Sequence, residues 1–86
     1  MEVKIYHDEK TNNFDEYVVI IGNSVFSMSV NALSPLGINQ YCCDIDQLDT
    51  DYLKKNCKEM SFMNLPFQVR EAVKLRMVDI AKSYSA

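Results

Sequence analysis

Tryptophan is absent from these 86 residues, histidine occurs once, and glycine and proline occur twice each. So little glycine and proline excludes a collagen-like or low-complexity chain. The longest unbroken apolar run, Tyr17 to Ile21, has five residues, against the roughly 20 that a membrane-spanning helix needs. The opening "MEVKIYHDEK" lacks the basic segment, apolar stretch and small-residue cleavage site of a secretory signal. Three cysteines, two of them adjacent, are an odd number, which points to free thiols in a reducing cytoplasm rather than a disulfide framework. Positive charge is scarce too, with a net of −3 and a pI near 4.9. Residues 1–43 hold two lysines against five carboxylates, while residues 44–86 balance at seven of each sign. With neither half basic, the chain lacks the patch that phosphate neutralisation requires, which argues against direct DNA or RNA binding.

What is present is globular. Apolar residues make up 48% of the chain, enough to offset the chain entropy that keeps polar sequences disordered. The length suits one domain. "VKIYH" (3–7) alternates Val3, Ile5 and His7 against Lys4 and Tyr6, the period of a half-buried strand. "YVVII" (17–21) is continuously apolar and β-branched, which suits a central strand covered on both faces. Gly22-Asn23 follows, and glycine can take the positive φ of a tight hairpin turn. "SVFSMSV" (24–30) alternates again, with Phe26, Met28 and Val30 on one face. Residues 1–30 therefore read as a three-stranded antiparallel meander, four-stranded if "KEMSF" (58–62) also pairs.

The period changes after that. Residues 31–63 read as a corner and a short helix. "SPLG" (34–37) fits a reverse turn, with Pro setting φ and Gly free to take a left-handed conformation. Ile45, Leu48, Tyr52 and Leu53 have helical spacing, with aspartates toward the start and lysines toward the end, and the helix is expected over Thr50 to Asn56. Residues 64–84 read as a long helix, with Asn64 as its N-cap and Pro66 in its first turn. At about 100° per residue, Val69, Val73, Met77, Ile80 and Tyr84 fall in one arc, the stripe that faces the core. Phe67, Leu75 and Val78 form a second stripe on roughly the opposite side. Two stripes predict a helix packed on its own sheet and, on the other side, against the short helix or another chain. The expected class is α+β: an antiparallel meander, a short helix, and a long C-terminal helix on the sheet.

Few residues point to chemistry. Cys42, Cys43, Cys57 and His7 could supply Cys₃His zinc ligands, but adjacent cysteines on an extended chain point apart, unlike a C-x₂-C knuckle. Buried small hydrophobes are the simpler reading. A Cys–His nucleophile pair needs an orienting geometry that spacing alone does not supply. "DIDQLDTD" (44–51) fails the EF-hand pattern, which wants Asp or Asn, Gly and Glu where Leu48, Asp49 and Lys55 stand. A capped, acidic helix start accounts for it, and Asp44, Asp46, Asp49 and Asp51 together could meet a basic protein surface. Asn39, Gln40 and Tyr41 follow the corner and offer amides, a hydroxyl and an aromatic face for recognition, but no acid, base or nucleophile. There is no phosphate loop, dinucleotide fingerprint or nucleophile elbow, and neither enzymatic activity nor a cofactor is expected.

"PLGINQY" (35–41) and "LPFQVREAVKLRM" (65–77) together resemble small bacteriophage accessory proteins. In those, a sheet segment leads to a Pro-x-Gly-x-Asn corner and later to a Leu-Pro helix start. The resemblance covers about a third of the chain and implies a viral accessory role in the host cytoplasm, with no catalytic residues to carry over. Two functions follow as expectations. One is binding to a protein partner, as a homodimer through Phe67, Leu75 and Val78, with the aspartates and 39–41 as contacts. Inhibition of a host defence or nucleic-acid-handling protein, as anti-CRISPR proteins do, would be an instance. The other is a small-ligand or nucleotide-binding module using the corner at 35–41.

Overall fold

The computed structural model describes residues 2–9, 16–34 and 39–85. Five strands form one sheet: β1 (Val3–Asp8), β2 (Tyr17–Ile21), β3 (Ser24–Met28), β4 (Asn39–Asp44) and β5 (Cys57–Met60). Their order is β4-β3-β2-β1-β5, with every neighbouring pair antiparallel. Two α-helices complete the fold, α1 (Thr50–Asn56) and α2 (Phe67–Ser85). The class is the α+β arrangement expected, with two more strands than the meander of residues 1–30.

β2 and β3 meet at the expected hairpin. Gly22 has φ +59°, and no described non-glycine residue has a positive φ. A turn with only its first central residue left-handed is the type II′ hairpin, whose twist matches that of its strands. β3 stops at Met28, two residues short of the alternating run, and Val30 is exposed.

β4 and β5 fall within residues 31–63; β5 overlaps the possible fourth strand at 58–62, while β4 lies where a corner was expected. β4 pairs with β3 from Met28↔Asn39 to Ser24↔Asp44, with a register shift that leaves Cys42 without an opposite residue. This bulge breaks the alternation by which a strand is read from sequence. Asn39, Gln40 and Tyr41 thus lie on an edge strand. The turn at Ser34-Pro35-Leu36-Gly37 lies, from Pro35 to Ile38, outside the described residues. β5 pairs with β1 from Ile5↔Met60 to Asp8↔Cys57.

Strand alternation divides the apolar residues between two cores. Val3 and Ile5 of β1, Tyr17, Val19 and Ile21 of β2, and Phe26 and Met28 of β3 face α2. There they pack against Leu65, Val69, Ala72 and Val73, while Met77 and Ile80 are half-buried at the margin. The opposite face presents Tyr6, Val18, Ile20 and Val25, covered by Leu48 and by Leu53 of α1. β2 is therefore the covered central strand its composition requires. The chain reaches this arrangement by crossing the sheet. From β4 at one edge it runs through a 3₁₀ turn (Ile45–Gln47) and α1 over the second face to β5 at the other edge.

α1 has the predicted bounds. Its N-cap is Asp49, whose carboxylate accepts from the Tyr52 N–H at 3.0 Å, and Lys54 and Lys55 occupy its last turn. α2 starts later than expected. Asn64 ends a separate 3₁₀ turn (Phe62–Asn64), and the Pro66 carbonyl takes the first helical hydrogen bond, from the Arg70 N–H at 2.9 Å. The 3₁₀ turn is capped by Ser61, whose hydroxyl accepts from the Met63 N–H.

Candidate functional site

Three surfaces could bind something, and each arises from the way the chain crosses the sheet. The first is the outer side of α2. Its inner stripe is sealed, with Val69, Ala72 and Val73 fully buried. The side chain of Tyr84, the last residue of the expected core stripe, lies outside the described part of the structure. Phe67, Leu75 and Val78 stand on the far side at 64%, 55% and 50% exposure. α1 does not cover them, because it packs on the other face of the sheet. Charges share this side: the Lys74 Nζ donates to Glu71 Oε2 at 2.9 Å. Arg76 instead turns inward, its guanidinium 5.3 Å from the centre of the Phe26 ring.

The second surface is the acidic rim from β4 to α1. All four expected aspartates are exposed there. Two of them have local structural work. Asp49 caps α1, and Asp44 accepts a short hydrogen bond from the Tyr41 hydroxyl. That bond, more than any other cause, pushes the Tyr41 phenol up to about 12. The Tyr41 ring also meets Phe26 edge-on at 5.8 Å. The side chains of Asp46 and Asp51 make no hydrogen bond or ion pair with another described residue. Asn39 and Gln40 belong to β4, which leads into this rim, and their side chains lie outside the described part of the structure.

The third surface escaped the sequence analysis. A groove of about 490 Å³ opens between the sheet and α2, lined by Val3, Ile5, Met60, Phe62 and Met77, with Ser61 and Lys74 at its rim. It exists because β5 ends at Met60, opposite Ile5, so Val3 lies beyond the last β1–β5 partner. None of residues 39–41 lines it. No sequence signal marks it, because its walls come from β1, the segment 60–62 and α2, which are far apart in the chain.

The remaining reactive side chains serve the structure. His7 stacks on Tyr17 at 4.7 Å and its Nε2 lies 2.8 Å from Glu16 Oε1. Asp8 is buried in β1 and accepts from the Tyr52 hydroxyl at 2.6 Å, tying β1 to α1. Burial, with Asp8 nearby, pushes the Cys57 thiol up. The cysteines correct one expectation: Cys42 is exposed and Cys43 and Cys57 are only half-buried, and all three are free thiols. Cys42 sits on the bulge, which explains its exposure. Among the described residues, no three His, Cys, Asp or Glu side chains converge on a metal-sized site. Nor is any described helix long and apolar enough to cross a membrane.

No protein-family model, curated protein or solved structure matches the chain.

Proposed function

We propose that this protein is a non-enzymatic binding module, a homodimer joined through the outer side of α2 that presents its acidic rim to a basic protein partner. The observation that carries the reading is the exposure of Phe67, Leu75 and Val78 directly opposite the buried stripe of the same helix. Single exposed apolar residues are ordinary, but an aligned set on one helix face marks an interaction surface.

The sheet edges support the helix as the route of self-association. β5 has Lys58 and Glu59 at its centre. A two-fold axis through an antiparallel β5 pair must place same-face residues opposite each other, so centring on either middle residue sets like charges together. β4 carries the Cys42 bulge, a device that blunts an edge against strand addition.

The resemblance to phage accessory proteins supports a host protein that handles nucleic acid as the basic partner, because its phosphate-binding groove would attract Asp46 and Asp51. Mass measurement by light scattering tests the dimer. The wild type is expected at about twice the 9.9 kDa of the chain, and Leu75→Asp at the monomer mass with its circular dichroism unchanged. For the rim, the decisive variant is Asp46→Asn with Asp51→Asn, which spares Asp49, the cap of α1, and Asp44, the partner of Tyr41. It should release a partner that the wild type holds at low salt, and retained binding removes the acidic rim from the reading.

The groove favours a second reading, a small apolar ligand, since its volume lies in the roughly 300–1,000 Å³ range of ligand clefts. A thermal shift with an aliphatic ligand that Met77→Trp abolishes would support it.

A further inference from the structure

The outer side of α2 carries more than apolar residues. Taking Phe67 as the origin and about 100° per residue, Phe67, Glu71, Leu75, Val78 and Lys82 lie within one arc of about 80°. Their spacing from Glu71 onward is four, three and four residues, the alternation of a two-helix seam. Read along the helix, that seam runs acid, apolar, apolar, base.

We infer that α2 pairs with α2 of a second copy as an antiparallel two-helix seam, with the two-fold axis between Arg76 and Met77. This rests on the homodimer proposed above and specifies its geometry. The argument is one of symmetry. A two-fold dimer interface is isologous, so if one residue meets a second, the second meets the first. With the axis at that point, residues equidistant from it stand level. Leu75 meets Val78 of the second copy, and Val78 meets its Leu75. One turn further out on each side, Glu71 meets Lys82 and Lys82 meets Glu71. The centre of the seam is apolar and both its ends are oppositely charged.

The alternatives fail on the same residues. A parallel pair would set Glu71 against Glu71 and Lys82 against Lys82. Pairing through the β5 edge opposes like charges, as described above. The axis also falls near the middle of α2 (Phe67–Ser85), so the two helices overlap along nearly their whole length. Phe67 then lies level with the C-terminal end of the second copy's helix. Glu71, a third exposed and already bonded to Lys74 at 2.9 Å, is held in place to receive Lys82 from across the axis.

Charge reversal with rescue tests this pairing. Each reversal occurs twice across the two-fold axis and creates two like-charge contacts. Sedimentation equilibrium should find the dimer of Glu71→Lys weakened tenfold or more, and Lys82→Glu weakened similarly. The double variant Glu71→Lys/Lys82→Glu should return to within about threefold of the wild type. Circular dichroism and the melting temperature confirm that each variant is folded, since both positions lie on the outer side of the helix. If the wild type dimerises and Leu75→Asp disrupts it, but the double variant stays as weak as the single ones, the antiparallel seam is wrong while the dimer stands. If the wild type is a monomer up to millimolar concentration, the homodimer falls and the seam with it.

Discussion

Leu53 is the only buried residue of α1, and replacing it with Ala tests whether the sheet has two covered faces. A seven-residue helix has no stability of its own, because nucleation costs more than so few hydrogen bonds return. α1 is therefore held by its tertiary contacts, and Leu53, 5% exposed against Ile20 and Val25, is the largest of these. Leu→Ala changes in a packed core cost about 2–5 kcal/mol. This core is small and open at its margin, so the lower end applies, about 2–3 kcal/mol. A chain of this length has a total stability of roughly 4–13 kcal/mol at 0.05–0.15 kcal/mol per residue. The loss is thus a large fraction of the whole, and at about 4–8 °C per kcal/mol the melting temperature should fall by between about 8 and 24 °C. Urea unfolding followed by circular dichroism measures it, with Lys54→Ala on the exposed side of the same helix as control. If Leu53→Ala stays within about 0.5 kcal/mol of that control, the range of ordinary surface changes, α1 does not cover the second face.

Gly22→Ala should cost about 1–3 kcal/mol, the penalty for an L-residue held at a sparsely populated positive φ. Nothing lies within 4 Å of the added Cβ, so the loss reads the backbone alone, and an unchanged urea midpoint would refute the hairpin geometry. Ser27 has a buried hydroxyl with no hydrogen-bond partner among the described residues. Ser27→Ala is expected to leave stability unchanged or raise it by up to about 1–2 kcal/mol, and a drop in melting temperature would contradict that environment. Phenolate absorbance at 295 nm should include a component near pH 12, where Tyr41 is expected, and Asp44→Ala should return it toward 10. The neutral phenol is the bonded form, so this contact is intact below pH 10, and stability should fall as pH rises from about 10 to 12. A native titration complete by pH 11 would be inconsistent with the Tyr41–Asp44 bond.

How much of this was legible in the sequence depends on whether the signal was local. The bounds of α1 were readable because Asp49, Asp51, Lys54 and Lys55 mark its two ends, and β2 because five consecutive apolar residues leave no exposed face. β4 was not readable. Asn39–Asp44 has amides and an acid where strands favour β-branched residues, its bulge breaks the alternation, and its partner β3 imposes the pairing. β5 was readable only as a possible strand at 58–62, because it has only four residues, two of them charged, too few for a period. Asn64 has the chemistry of an N-cap, yet a 3₁₀ turn claims it and the helix begins three residues later. Of the candidate site, the outer stripe of α2 could be read from the helical wheel alone. The wheel does not reveal which element lies against a stripe, and the groove at Val3, Met60 and Met77 depends on where β5 stops.

That last point explains why the outer stripe is bare. Had β5 paired beside β4, the link between them, which contains α1, would not have had to cross the sheet. Instead the chain from Asp44 to Cys57 crosses the sheet, and the face it crosses is the one α2 does not occupy, so Leu53 meets Ile20 and Val25. Once α1 is committed there, no described element remains to cover Phe67, Leu75 and Val78. Burying that stripe then takes a surface that the described residues do not supply. In the pairing proposed above, that surface is the same helix in a second copy, set acid to base and apolar to apolar in antiparallel register.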